Sequence, residues 1–298
     1  MRRFGATKDE ALAELHSALA ERIENVNRLS DADADIVNLR RAFLGFVQAV
    51  DASDRIVEKG SDAAGDEAAT ANRVIPYAIV DGQLMAVLDH LRAWADKLAG
   101  GGVKDTYSLN LYADYTLFRP VLESLASAIW MLGPDERDMR IKNALKVAST
   151  ELRLTKMYTE ALSRAGTPDE DSDESSALLE EAIRFTCESI GADASRVLAA
   201  SIDPSELPRK AQRFVGGRGQ DFYRYWAMCS AHAHAQLFGV LRHASRTEHG
   251  MPGHRWTYAE MDSDNFAAML HFVNKALNVL VELLNKRGHS LRASPKGK

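Results

Sequence analysis

Two short runs of this sequence hold residue types that could do chemistry. One reads Phe118-Arg119-Pro120-Val121-Leu122-Glu123-Ser124-Leu125-Ala126-Ser127-Ala128-Ile129-Trp130, the other Tyr223-Arg224-Tyr225-Trp226-Ala227-Met228-Cys229-Ser230-Ala231-His232-Ala233-His234. Each carries a polar pair four residues apart in an apolar run: Arg119 with Glu123, and Ser230 with His234. On a helix that spacing puts both members of a pair on one face. Polar groups on a core-facing stripe are costly unless they find partners, so the two pairs are expected to meet.

Serine and histidine on one face could act as nucleophile and base. No nucleophile-elbow pattern surrounds Ser230, and no orienting acid stands beside it in the sequence. If the chain is an enzyme, its catalytic residues are His234, Ser230, Arg119 and Glu123. The structural reading of Arg119 and Glu123 is a buried or half-buried ion pair, whose guanidinium has five donors and needs acceptors beyond Glu123. His232 and His234 diverge by about 200° on a helix and do not share a metal. His243, His249 and His254 lie near Glu248 without an HExxH pattern. No metal site and no cofactor are expected. Pro208 to Gly219 is the most basic stretch of the folded part. Its Arg209, Lys210, Arg213 and Arg218 are the candidate contacts to a nucleic-acid backbone, with Tyr223, Tyr225 and Trp226 following as possible stacking partners for bases. A hinge between helices is the plainer reading of its glycines.

The elements that must position these residues all read as helices. Apolar residues recur at three- and four-residue spacing, strand-like alternation is absent, and Ala, Leu, Glu and Arg favour helix. Helices are expected over 8–29, 31–59, 76–99, 105–132, 136–164, 177–190, 194–201, 220–246 and 258–286. Pro120 should bend or divide its helix. Residues 60–72 and the acidic stretch 166–176 read as loops, as does 248–253. The expected organisation is a helical hairpin and mobile linker over 1–72, a main bundle over 73–289, and a disordered basic tail over 290–298. The fold class is all-α. The last helix is apolar on more than one face (Phe266, Met269, Leu270, Phe272, Val273, Leu277, Val279, Leu280, Val281, Leu283 and Leu284), which points to a homodimer.

The 298 residues are 46% hydrophobic and 27% charged, with net charge −5, an ordinary globular composition in which nucleic-acid binding would have to come from a local patch. Two cysteines, Cys187 and Cys229, rule out a disulfide framework and fit a reducing cytoplasm. The N-terminus lacks a signal-peptide pattern, and the apolar run 266–284 is interrupted by His271, Asn274, Lys275, Asn278 and Glu282, so no membrane is expected.

Arg119-x-x-x-Glu123 followed by Trp130, then Arg137 and Arg140, with Tyr225 and Ser230-x-x-x-His234, resembles a loosely defined group of bacterial all-helical proteins distantly related to HEPN domains. The resemblance covers about residues 108–241. It implies a helical bundle that often dimerises and, in many members, a metal-independent ribonuclease of toxin–antitoxin or phage-defence systems. The family's signature is an arginine, four to six residues, then histidine. Ala227, Met228 and Cys229 stand where that arginine would precede His234. Arg242 and His249 meet the spacing across an expected helix end. The expectation is therefore a non-catalytic binding or interaction protein, in a defence or stress setting, with a protein or RNA partner. A divergent HEPN-type ribonuclease is the alternative.

Overall fold

In a computed structural model, residues 31–99, 109–167, 170–217, 220–236, 242, 244–251 and 254–293 are described. Among them the chain is all-α, ten helices packed on one another, with two short antiparallel strand pairs at the margins. The helix expected over 8–29 lies outside the described residues.

Helix α1 (Asp31–Asp51) buries Ile36, Leu39, Phe43, Val47 and Val50, a stripe at helical spacing. Strand β1 (Ser53–Val57) follows, where the helix was expected to continue to residue 59. Helix α2 (Asp62–Ala69) occupies the stretch expected to be a loop, and Ser61 caps it by accepting from Ala64 N. Helix α3 (Pro76–Ala99) packs lengthwise on α4 (Ala113–Leu132), which runs unbroken through Pro120. Helix α5 (Arg137–Arg164) leads to α6 (Glu170–Ser189), which takes up most of the acidic stretch read as a connector. Short helices α7 (Ala194–Ala199) and α8 (Glu206–Val215) precede α9 (Asp221–Ala233).

Helix α9 stops thirteen residues short of its expected end, with Ala235 in the left-handed region at φ 50°. Beyond it, β2 (Ala244–Met251) and β3 (His254–Met261) pair antiparallel, His249 opposite Trp256 and Met251 opposite His254. The expected helix and loop there give way to a strand pair, and the last helix, α10 (Ser263–Lys286), starts later than its period suggested. The chain then returns as β4 (His289–Ala293), antiparallel to β1, so residues 290–293 are strand rather than loose tail; 294–298 lie outside the described residues. Gly288 makes the turn at φ 74°, and a Cβ there would run into the Ser61 side chain.

The core is aromatic at its centre. Trp94 of α3, Phe118 of α4 and Phe266 of α10 meet edge to face, with Trp94 and Phe118 centroids 5.1 Å apart and Phe118 and Phe266 5.7 Å. Helix α10 is long and apolar enough to cross a membrane by length and composition. Here it is a core helix: Phe266, Met269, Leu270, Phe272, Val273, Leu277, Leu280 and Leu284 are all buried by this one chain. Val279, Val281 and Leu283 of the same helix are half-buried, so one chain covers most of its apolar faces.

Candidate functional site

The two polar pairs do meet. Helix α4 lies against α9 because Phe118, Val121, Leu122 and Leu125 on one side, and Phe222, Tyr225, Met228 and Cys229 on the other, are buried together. This leaves Arg119 and Glu123 on the rim of the α4–α9 seam, their side chains 27% and 30% exposed. Arg119 Nε donates to Glu123 Oε1 at 3.0 Å, and the Trp226 indole Nε1 donates to the same oxygen at 2.9 Å. Arg119 Nη1 stands 2.8 Å from His234 Nε2. A guanidinium has no acceptor, so Nε2 must accept and the imidazole proton must sit on Nδ1. Among the described residues Arg119 Nη2 meets no acceptor, and the side chain as a whole is 27% exposed.

Ser230 and His234 share a turn but not a hydrogen bond between side chains. His234 caps the C-terminus of α9, and its backbone N donates to Ser230 O at 3.1 Å. The capping position swings the exposed ring towards α4 and Arg119, while Ser230 is half-buried. The expected nucleophile–base pair is not assembled. His232 points the opposite way, into the core, where its Nδ1 lies 2.8 Å from Met228 O and its ring packs at 4.1 Å on Tyr115. Burial pushes the Cys229 thiol well above its ordinary range, with Arg119 opposing the shift and Glu123 adding to it; Cys229 is a packed hydrophobe against Met269, not a nucleophile.

The basic stretch is placed beside this rim. Arg209 lies over the Tyr223 ring at 3.7 Å, and Tyr223 stacks on Trp226 with centroids 5.8 Å apart. A continuous ladder thus runs from Arg209 through Tyr223, Trp226 and Glu123 to Arg119 and His234, drawn from α8, α9 and α4. Tyr223 is already engaged by Arg209 and Trp226, and Tyr225 is buried against Phe272 at 5.4 Å, so Tyr225 offers no open ring to a base. Lys210 pairs with Glu206 at 2.8 Å, and Arg213 lies over Phe214 at 4.5 Å. Arg218 lies outside the described residues. The glycine turn before α9 is held internally: Gln212 Oε1 accepts from Phe222 N at 2.7 Å, and Gln212 Nε2 donates to Gly216 O at 3.0 Å. A side chain thus takes one of the donors that a phosphate would use.

No cluster of His, Cys, Asp and Glu among the described residues could hold a metal. His249 and His254 lie on β2 and β3, while His243 lies outside the described residues.

A second arginine cluster was not foreseen as a unit. Asp66 of α2, fully buried, takes a two-pronged grip from Arg140 of α5 at 2.7 and 2.8 Å. Arg140 Nη1 also donates to Asp135 O at 2.6 Å, and Tyr77 OH donates to Asp66 Oδ2 at 3.4 Å. Burial, then the neighbouring carboxylate, push the Tyr77 hydroxyl far above its ordinary range. Arg287, at the end of α10, donates to Leu132 O, Gly133 O and Pro134 O and pairs with Asp62 and Asp135, each at 2.8 Å. Arg140 was noted with Arg137 only for its place in a family pattern. Its partner stands 74 residues upstream in a stretch read as a linker, and no local spacing signals such a contact.

Comparison with protein-family models, with curated proteins and with solved structures finds no match for this chain.

Proposed function

We propose that this chain is a non-catalytic helical binding protein that takes an anionic group at the Arg119–His234 rim of the α4–α9 seam. One observation carries the reading. Arg119 is fixed by Glu123 and His234, yet remains 27% exposed with Nη2 directed at no described acceptor. A fixed, half-exposed guanidinium edge is a ready donor for a phosphate or carboxylate. The ladder through Trp226 and Tyr223 to Arg209 adds a second positive group on the same side. Catalysis is disfavoured because His234 Nε2, the atom a general base would use, is already accepting from a guanidinium that cannot release a proton. The HEPN-like resemblance supports a defence or stress setting for such a protein.

The second reading is a divergent HEPN-type ribonuclease. It is favoured by the same 2.8 Å contact, since an arginine beside a histidine is what the family's motif achieves within one helix and this chain achieves between two.

Two-dimensional NMR of the indole N–H groups tests the first reading. A single-stranded RNA 20-mer and a poly-glutamate peptide are titrated separately at low salt. The Trp226 resonance should move with at least one probe, reverse as salt is raised, and stay still in Arg119→Ala. A Trp226 resonance indifferent to both probes at millimolar concentration overturns the proposal.

A further inference from the structure

We infer that the outer face of α5 is a self-association surface that pairs antiparallel with α5 of a second copy of this chain. On most of its length α5 buries one side: Ile141, Ala144, Leu145, Ala148 and Leu152 face the core. The opposite side is unexpectedly apolar where it emerges. Leu154, Met157 and Tyr158 are 54%, 55% and 59% exposed, and Ala161, also exposed, continues the stripe. Leu154 and Tyr158, like Met157 and Ala161, are four residues apart, which keeps the four side chains on one face. The stripe stays exposed although the chain covers other sides of α5: Thr150 Oγ1 accepts from Ile202 N at 3.0 Å, Lys156 pairs with Glu180 of α6, and Thr159 is buried. Scattered surface leucines need no explanation, but four apolar side chains in line on one helix do.

Charge selects the occupant. Arg153 and Glu160, both exposed, flank the stripe on the same edge, four residues before and three after Met157; within the chain Arg153 lies 3.7 Å from Met157 Sδ, and Glu160 pairs with the exposed Arg164 at 3.2 Å. A two-fold axis perpendicular to two antiparallel helices keeps each edge against the same edge of its partner and reverses direction along it. Arg153 of one copy then falls beside Glu160 of the other, twice per dimer, while the apolar residues interleave between them. In a parallel two-fold pair the charged edges lie on opposite sides of the contact, and these four charges do not meet. The surface is complementary to itself in the antiparallel orientation, which is the property expected of an isologous contact. One helix face contributes less than the roughly 800 Å² per partner of a standard interface, so association should fall in the micromolar range rather than being permanent.

Sedimentation velocity on the full chain between 1 and 200 µM tests this. The mass should rise from monomer to dimer across that range. Met157→Glu, at a site exposed enough to leave the fold intact by circular dichroism, should weaken the dimer by about tenfold or more. Arg153→Glu should weaken it by a few-fold, and the double change Arg153→Glu with Glu160→Arg should recover most of that loss. A monomer at 200 µM, a dimer indifferent to Met157→Glu, or a double variant no better than the single overturns the inference.

Discussion

Two arginine–carboxylate clusters stand along α4, one past its C-terminus and one near its middle, and they differ in what surrounds them. At the C-terminal end, Arg140 and Arg287 are 1% and 2% exposed, and their donors meet Asp66, Asp62, Asp135 and the carbonyls of residues 132–135. Near the middle of the helix, the Arg119 side chain is part-exposed, and its partners Glu123 and His234 are themselves within reach of solvent. Closure makes the first cluster architectural: it ties α2, α5 and α10 to the turn after α4. Openness leaves the second with something to offer. Buried charge in helical proteins is readable in this way only after its partners are counted, because arginine and carboxylate serve in both clusters.

The largest expected effect is on the closed cluster. Arg140→Ala leaves Asp66 charged, buried and stripped of its bidentate partner, and should cost about 3–5 kcal/mol in denaturant unfolding. A loss under 1 kcal/mol would mean the cluster is not closed. Next comes Gly133→Ala, in the turn that the closed cluster holds: a Cβ there would lie 2.5 Å from the Phe214 ring of α8, and forcing them apart should cost about 1–3 kcal/mol. Arg119→Ala should cost only about 1 kcal/mol or less, since its pairs are part-solvated. An unfolding loss as large as that of Arg140→Ala would erase the distinction between the two clusters. The smallest effect is at Asp135. Hydrogen bonds from Lys286 and Arg287 hold its carboxyl down at about 2, although it is exposed. A depressed carboxylate contributes stability above the ordinary carboxylate range and loses it as pH falls through its folded value. Asp135→Asn should therefore be slightly less stable than the native chain near pH 6, with the gap closing towards pH 2; a gap that widens on acidification would contradict the assignment.

Helical period gave the all-α class, the course of α3, α5 and α10 to within a few residues, and the meeting of α4 with α9. Those are local signals or the direct consequence of polar groups needing partners. The misses are non-local. Strands β1 and β4 exist because residues 53–57 and 289–293 find each other across most of the chain. The β2–β3 pair did leave a trace: Arg255-Trp256-Thr257-Tyr258 is rich in strand formers and follows Pro252-Gly253, a turn pair, yet it sits between two strong helical patterns that drew the reading past it. Helix α2 was hidden by its Gly, Ala and Asp content, which shows no apolar period, and its anchors are non-local: Arg140 grips Asp66 and Arg287 pairs with Asp62. At the site, Arg119, Glu123 and His234 were legible as residues. That His234 would serve Arg119 rather than Ser230 depended on α9 ending at Ala233, a boundary no local residue announces.

The account stands most directly on whether the Arg119–His234 contact binds or cuts. End-labelled single-stranded RNA incubated with the purified chain, and in parallel with His234→Ala of unchanged circular dichroism, decides it. The account predicts intact RNA in both. Cleavage by the native chain that vanishes in His234→Ala would contradict it and establish the ribonuclease reading instead.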